Sequence, residues 1–404
     1  MLRQNRILLM GTIFLVLFFA HCGKTESGDP DDPDPGDGIT PVDFHFGADL
    51  SYINQIMDHG GKFFDGGTES NPYRIMKDHG TGMARFRIWH NPVWTKDIYG
   101  ASGTQLYNDL LDVEKAISES KTQGMKVLLD FHYSDTWADP GKQVIPRAWM
   151  DITSIEVLED SVYNYTFNTL KYLDSKGLMP EFVQIGNEIN CGMMYSEAPK
   201  NFPKLNICDG NWSNLGQVIN GGIKAVREVS AESEVDTEVI LHVADPKNVQ
   251  WWFDNMMDKG NVTDFEVVGF SYYPIWHTTI GITELGKVVA AFKSRFSKEI
   301  MILETAYPWT SDGNDNYNNI FGAGQAISGY PFTQQGQLAM MRTLTKQMIS
   351  GGGYGIIYWE PGWITSQMKD LWGTGSSWEN CALFDFNGNL HQGIQYMTDN
   401  YESE

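Results

Sequence analysis

Two glutamates stand at the ends of apolar runs. Glu188 closes Phe182-Val183-Gln184-Ile185-Gly186-Asn187-Glu188, and Glu304 closes Met301-Ile302-Leu303-Glu304. A carboxylate placed directly after a buried run is costly to desolvate unless it is paired or does chemistry. Either glutamate alone is equally well read as the partner of an arginine, but two together are better explained by a shared task. Carboxyl groups about 5 to 5.5 Å apart serve as acid/base and nucleophile in a double displacement at a glycosidic carbon, with retention of configuration. The nucleophile has to stay ionised while the acid keeps a proton, and mutual repulsion in a partly dry site separates their pKa values in that sense.

Such a pair has to be positioned, and the rest of the chain supplies a repeating scaffold. Short apolar runs rich in β-formers recur at Asp43–Leu50, Ala84–Trp89, Lys126–His132, Phe182–Asn187, Val239–Val243, Val267–Tyr272, Ile300–Thr305 and Gly355–Trp359. Between them, Gln105–Gln123, Ile155–Ser175, Ser213–Ser230, Ile282–Phe296 and Gln335–Ile349 carry apolar residues about one helical turn apart. This alternation predicts an α/β fold with a parallel sheet. Eight strands and no G-x-G-x-x-G turn after an early strand favour a closed (β/α)8 TIM barrel over an open doubly wound sheet. From Ile39 onward there is no second linker, so residues 39–404 are read as a single catalytic domain.

In a barrel of this kind the C-terminal strand ends line the mouth. Those ends carry Arg87 and Trp89, Asp130 and His132, Asn187 and Glu188, His242 and Asp245, Tyr272 and Tyr273, Glu304, and Trp359 with Glu360. Carboxylates, hydroxyls and aromatic faces in a ring are what a sugar polymer requires. Trp89, Trp94, Trp137, Trp276, Trp309, Trp359 and Trp363 offer flat apolar faces for the C–H side of a sugar, although core packing claims some of them. Trp359 is the first choice for a subsite wall.

Asn-Glu after strand four and Glu after strand seven resemble the large clan of retaining barrel glycosidases. Within that clan, the run Leu128-Leu129-Asp130-Phe131-His132-Tyr133-Ser134-Asp135-Thr136-Trp137-Ala138-Asp139-Pro140-Gly141-Lys142-Gln143 resembles the signature of glycoside hydrolase family 53, the endo-β-1,4-galactanases. Gly47-Ala48-Asp49-Leu50-Ser51, Arg85-Phe86-Arg87-Ile88-Trp89 and Ser376-Ser377-Trp378-Glu379-Asn380-Cys381-Ala382-Leu383-Phe384-Asp385 do the same, so the resemblance spans the domain. It implies Glu188 as acid/base, Glu304 as nucleophile, and Asn187 on the sugar 2-hydroxyl. It further implies Arg87 and Tyr272 as groups that position Glu304, with His132 and His242 as polar partners; Trp89, Trp137, Trp359 and Trp363 are read from their faces and position as the sugar contacts. The implied substrate is β-1,4-galactan from pectin side chains. A mannanase or β-glucanase of the same clan would keep the chemistry, whereas a non-catalytic glycan-binding lipoprotein would have no reason to retain both carboxylates and Asn187.

After strand seven, Asp312, Asn314, Asn316 and Asn318 place an oxygen-bearing side chain at every second position, a spacing that suits a hard cation. An EF-hand is excluded, because Tyr317 stands where that loop needs glycine and no glutamate closes twelve residues. The family resemblance implies a structural calcium ion here, with Ser377 and Asn380 as the matching partners from the loop after strand eight.

Charge and termini bound the setting. The chain has 29 basic and 51 acidic residues, and its first 38 positions account for only three and six of them. An acidic domain repels nucleic acid and polyanionic pectin backbone and suits a neutral polymer. Arg3 and Arg6 precede an apolar run from Ile7 to Ala20, the length of a signal-peptide core rather than a membrane span. Phe19-Ala20-His21-Cys22 resembles a lipobox, with His21 in place of the usual small residue. Residues 1–21 are therefore read as a lipoprotein signal peptide, and 22–38 as a solvated acidic tether of the kind that follows the anchor in surface-exported Bacteroidetes lipoproteins. The expected state is a monomer held at the outer membrane through a lipid on Cys22, facing the cell exterior. Cys191 and Cys208 are spaced to close a loop in an oxidising compartment, or else stand reduced and buried with Cys381.

Overall fold

The computed structural model describes residues 44–321 and 324–401. The signal peptide, the tether and Cys22 lie outside them. All eight expected strands form: β1 (His45–Asp49), β2 (Met83–Ile88), β3 (Lys126–Phe131), β4 (Phe182–Ile185), β5 (Glu238–Ala244), β6 (Val267–Ser271), β7 (Glu299–Thr305) and β8 (Gly355–Tyr358). Each pairs in parallel with its sequence neighbours, and β1 pairs with β8, which closes the barrel.

The crossovers are α1 (Pro72–Asp78), α2 (Leu110–Thr122), α3 (Ile155–Asp174), α4 (Trp212–Ser230), α5 (Val249–Lys259), α6 (Leu285–Phe296) and α7 (Gln334–Ser350). After β8 a 3-10 turn at Gln392–Met397 takes the position of an eighth helix. Several helix starts follow from side-chain caps: Asp109, Ser154 and Thr333 each accept a backbone N–H from the first turn of the helix that follows. The sequence pattern missed α1 and α5, both too short for a clear period. It also started α2 early, at Gln105, because Asp109 is the residue that caps it.

The core has two layers. Between sheet and helices lies the large apolar shell. Inside the barrel, Met83, Leu128, Phe182, Ile240, Val267, Met301, Leu303 and Ile357 form a separate plug. One step further toward the C-terminal ends the inward positions turn polar: Arg85 and Arg87 on β2, Asp130 on β3, Gln184 on β4, His242 on β5 and Ser271 on β6, all buried. The apolar plug therefore forms the floor on which a charged layer is assembled.

One irregularity matters. Register shifts between Phe270 and Ser271 against β7, and between Ile302 and Thr305 against β8, show one extra residue in β7. With Met301 and Leu303 already pointing inward, strict alternation would send Glu304 outward to the helices. The bulge returns it to the interior, level with Ser271.

Candidate active site

Glu304 is buried, with its carboxylate held from two sides. Oε1 accepts from Arg85 Nη1 at 3.0 Å and Oε2 accepts from the Tyr273 hydroxyl at 3.0 Å. Arg85 is the hub of the polar layer. Its other donors reach Asp49 (2.9 Å), Asp130 (2.8 Å), Asn187 Oδ1 (2.8 Å) and Gln184 (3.2 Å), so all five N–H groups of the guanidinium are occupied. Burial pushes the Glu304 carboxyl up to about 7, against the pull of Arg85.

Glu188 arrives by a different route. β4 ends at Ile185, and the backbone then turns through Gly186 at φ 82° and Glu188 at φ 45°. A Cβ on Gly186 would approach Ile189 Cγ2 and Met193 Sδ at 2.7 Å each, so only glycine fits this turn. The result aims Glu188 across the mouth. One oxygen from each glutamate and one His242 ring nitrogen lie within 4.8 Å of one another. This is well short of the roughly 6.5–9.5 Å that leaves room for a water in inverting enzymes.

The pair is electrostatically divided. Burial and the charge of Glu304 raise the Glu188 carboxyl well above its usual range, opposed by a hydrogen bond from the Ser271 hydroxyl to Oε1 at 2.6 Å. Arg85 and Tyr273 both favour the ionised form of Glu304. The proton therefore resides on Glu188 and the negative charge on Glu304, the division a retaining mechanism needs.

Around the pair is a cleft of about 410 Å³. Trp137, Trp276, Trp359, Trp363, Trp372 and Trp378 line it, with Asn187, His132 and Asp139 among the polar groups. Trp276 and Trp372 present broad exposed faces, at 47% and 63% exposure. Asn187 donates to Ala138 O at 2.8 Å through Nδ2, which leaves that nitrogen a second proton directed at neither Ala138 nor Arg85.

Several expected residues sit elsewhere. Arg87 does not reach Glu304. It donates to Glu360 at 2.6 Å, and its guanidinium lies over the rings of Tyr52 (4.1 Å) and Trp137 (4.3 Å). Arg85, two residues earlier on the same inward face, has the role expected of Arg87. Tyr272 donates to Ile280 O, while its neighbour Tyr273 bonds Glu304. Trp89 is fully buried and donates to His132 Nδ1, so it is packing and not a platform. His132 also bonds Asp130 through Nε2, and touches neither glutamate. His242 does belong to the centre, through Ser271 and Asn187. The periodicity that predicted the strands also marks Arg85 and Ser271 as inward positions. Trp372, by contrast, lies in an irregular loop with no such signal.

The expected calcium ligands differ in exposure. Asp312, Asn314, Asn316 and Asn318 are all exposed, while Ser377 and Asn380 are fully buried. The less exposed residues of this stretch are Asp315, Tyr317 and Asn319. Asp315 accepts from the backbone N–H groups of Tyr317 and Ser376, and Glu379 accepts from Asn314 N and from the Thr365 hydroxyl. Both carboxylates are thus engaged by the protein itself, while Asn380 Oδ1 is buried without a hydrogen-bond partner among the described residues.

Cys191 and Cys208 form a disulfide with Cα atoms 5.1 Å apart, and Cys381 is a buried free thiol. The bridge closes the loop that follows Glu188.

An acid and a nucleophile at this spacing, in a cleft walled by indoles at the mouth of a closed barrel, make this chain a retaining glycoside hydrolase. The profile of Glycosyl hydrolase family 53 matches residues 45–397. An arabinogalactan endo-beta-1,4-galactanase of Cellvibrio japonicus is 40% identical over 344 residues, covering 85% of this chain and 86% of that one. An endo-beta-1,4-galactanase of Bacillus subtilis is 32% identical over 390 residues, covering 87% and 85%. Among solved structures, the GH53 catalytic domain of Ignisphaera aggregans superposes with a TM-score of 0.77 at 34% identity, covering 91% of this chain and 98% of that one. The chain belongs to glycosyl hydrolase family 53.

Proposed function

We propose that the protein hydrolyses internal β-1,4-galactosidic bonds of galactan, with Glu304 as nucleophile and Glu188 as acid/base. The observation that carries the mechanism is the division of the carboxyl pair, with Arg85 and Tyr273 on Glu304 and a single hydroxyl on Glu188. Glu304 attacks the anomeric carbon while Glu188 protonates the departing oxygen. Glu188, now ionised, takes a proton from the water that releases the glycosyl-enzyme. Asn187 is the donor to the sugar 2-hydroxyl, and Trp137, Trp276, Trp359, Trp363 and Trp372 are the stacking faces. Galactan as substrate is supported by the names of the relatives, and an acidic domain is compatible with that neutral chain.

The test is digestion of β-1,4-galactan with products sized over time. A spread of lengths should appear early, with no release from mannan or β-glucan. Glu304→Gln should lower kcat by several orders of magnitude while sugar binding persists. Retained turnover in that variant, or cleavage of mannan in preference to galactan, would overturn the proposal.

We further propose export and anchoring at the cell surface through acylated Cys22. A disulfide between Cys191 and Cys208 supports an oxidising compartment. Cells fed labelled palmitate should label the native protein and leave a Cys22→Ala variant unlabelled. Equal labelling of both would sink the anchor.

A further inference from the structure

Ser271 has no place in the reaction described so far, yet its hydroxyl touches the acid/base directly. Its Oγ is fully buried, 2.6 Å from Glu188 Oε1 and 2.9 Å from His242 Nε2. A serine hydroxyl has one proton, so it serves one of these neighbours at a time.

The ring of His242 decides whether both are acceptors. Its Nδ1 lies 2.9 Å from Asn187 Oδ1. That oxygen is fixed as an acceptor, because Arg85 Nη2 donates to it and the Nδ2 of the same amide donates to Ala138 O. Nδ1 therefore carries the ring proton. Two other groups approach Nδ1 less well: Gln184 Nε2, at 3.1 Å, already gives its two protons to Gly186 O and Asn187 Oδ1, and the Glu188 N–H that points at Nδ1 is 3.3 Å away, longer than an ordinary bond and longer than the 2.9 Å contact to Asn187. Nε2 is left bare and faces Ser271. Burial and the nearby Arg85 keep the imidazole neutral.

We propose that Ser271 is a positioning residue for the acid/base, its hydroxyl turning between Glu188 Oε1 and His242 Nε2 as Glu188 loses and regains its proton. This rests on the reading of Glu188 as acid/base. With Glu188 protonated on the oxygen that faces the cleft, Oε1 is a weak acceptor and the hydroxyl bonds His242. Once that proton has gone to the departing glycosidic oxygen, Oε1 is anionic and the hydroxyl turns to it. The proton that Glu188 then takes from water reverses the turn. No proton passes through Ser271, and only the O–H direction changes.

The charged and titratable groups facing Glu188 are Arg85 from β2, Asp139 from the loop after β3, His242 from β5, Tyr273 after β6 and Glu304 from β7. Glu304 and Asp139 disfavour the carboxylate, His242 is neutral, and Arg85 is committed to five other acceptors. Ser271 is thus the short-range donor that favours ionised Glu188. Without it the ionised form is less stable, so the group titrates higher.

The experiment is the pH profile of kcat/KM on galactan for the full chain and for Ser271→Ala. The alkaline limb, where Glu188 loses its proton, should move up by about one pH unit. Activity at the wild-type optimum should fall about tenfold, and Ser271→Thr, which restores a hydroxyl, should return both toward the wild type. Ser271→Cys, a weaker donor of similar size, should move the limb the same way and covers the case in which the alanine variant folds poorly. An even loss at every pH with an unmoved limb would overturn the proposal. Glu188→Gln separates the two readings: it should abolish the alkaline limb. If that variant keeps the limb, Glu188 is not the acid/base and both fall together.

Discussion

The mouth of the barrel and the loops beyond β7 and β8 solve one problem, holding carboxylates in place, in opposite ways. At the mouth, one buried guanidinium gathers Asp49, Asp130 and Glu304, and every donor is matched to an acceptor on a strand or, for Asn187, in the turn just past β4. Among the described residues, Asp315 and Glu379 in the loops have no cationic partner. Asp315 and Glu379 are held by backbone N–H groups and the Thr365 hydroxyl. The mouth depends on charge neutralisation inside a rigid scaffold, whereas the loops depend on uncharged donors, several of which tie the loop after β7 to the loop after β8. Damage to the first should therefore spread, and damage to the second should stay local.

The sharpest test of that contrast sets Arg85 against Arg87, neighbours on one face of β2. Replacing Arg85 with Met leaves Asp49, Asp130 and Glu304 without their shared partner, and breaking a buried pair in this way costs about 3–5 kcal/mol. Arg85→Met should lower the melting temperature by several degrees and kcat/KM by about a thousandfold, within the range for loss of a group that stabilises a reacting charge. Arg87→Met removes the close partner of Glu360, a longer contact of 3.8 Å to Asp49, and the cation over Tyr52 and Trp137. Burial already pushes Glu360 up to about 8, so the orphaned carboxyl can take a proton at neutral pH. The loss in kcat/KM should be about tenfold or less. Equal losses in the two variants would show that Arg85 is not the hub.

These two arginines also mark what a sequence can reveal. Strand period 2 places both inward, and resemblance to a family points to the Arg-Phe-Arg segment, but neither says which guanidinium meets the nucleophile. That choice depends on the height of each residue above the apolar plug, and height depends on strand stagger. Tyr272 and Tyr273 fail for the same reason, one residue apart at the end of β6. Glu304 was identified because it follows an apolar run, yet its inward direction depends on a bulge that no local pattern announces. The eight strands, by contrast, were legible because each is a short run bounded by polar residues, and burial of such a run needs no knowledge of its neighbours.

In the loops the pattern was present but read with the wrong phase. Oxygen-bearing side chains do alternate from Asp312 to Asn318, and the ones that turn inward are those between them, beginning with Asp315. Alternation alone cannot tell inside from outside in a segment that pairs with no strand.

The smallest expected effects come from testing that phase. A chelator should leave the melting temperature unchanged, because Asp312, Asn314, Asn316 and Asn318 face solvent. Asp315→Asn and Glu379→Gln each weaken hydrogen bonds from backbone amides to a charged acceptor, worth about 1.5–3 kcal/mol before solvent screening of the partly exposed Asp315. In a domain of this size that corresponds to a fall of about 2–4 °C. Asp312→Ala should do nothing measurable. The reverse pattern, a chelator effect reproduced by Asp312→Ala and absent in Glu379→Gln, would mean that the even-numbered side chains do close on a cation and that both regions of the molecule neutralise their carboxylates in the same way.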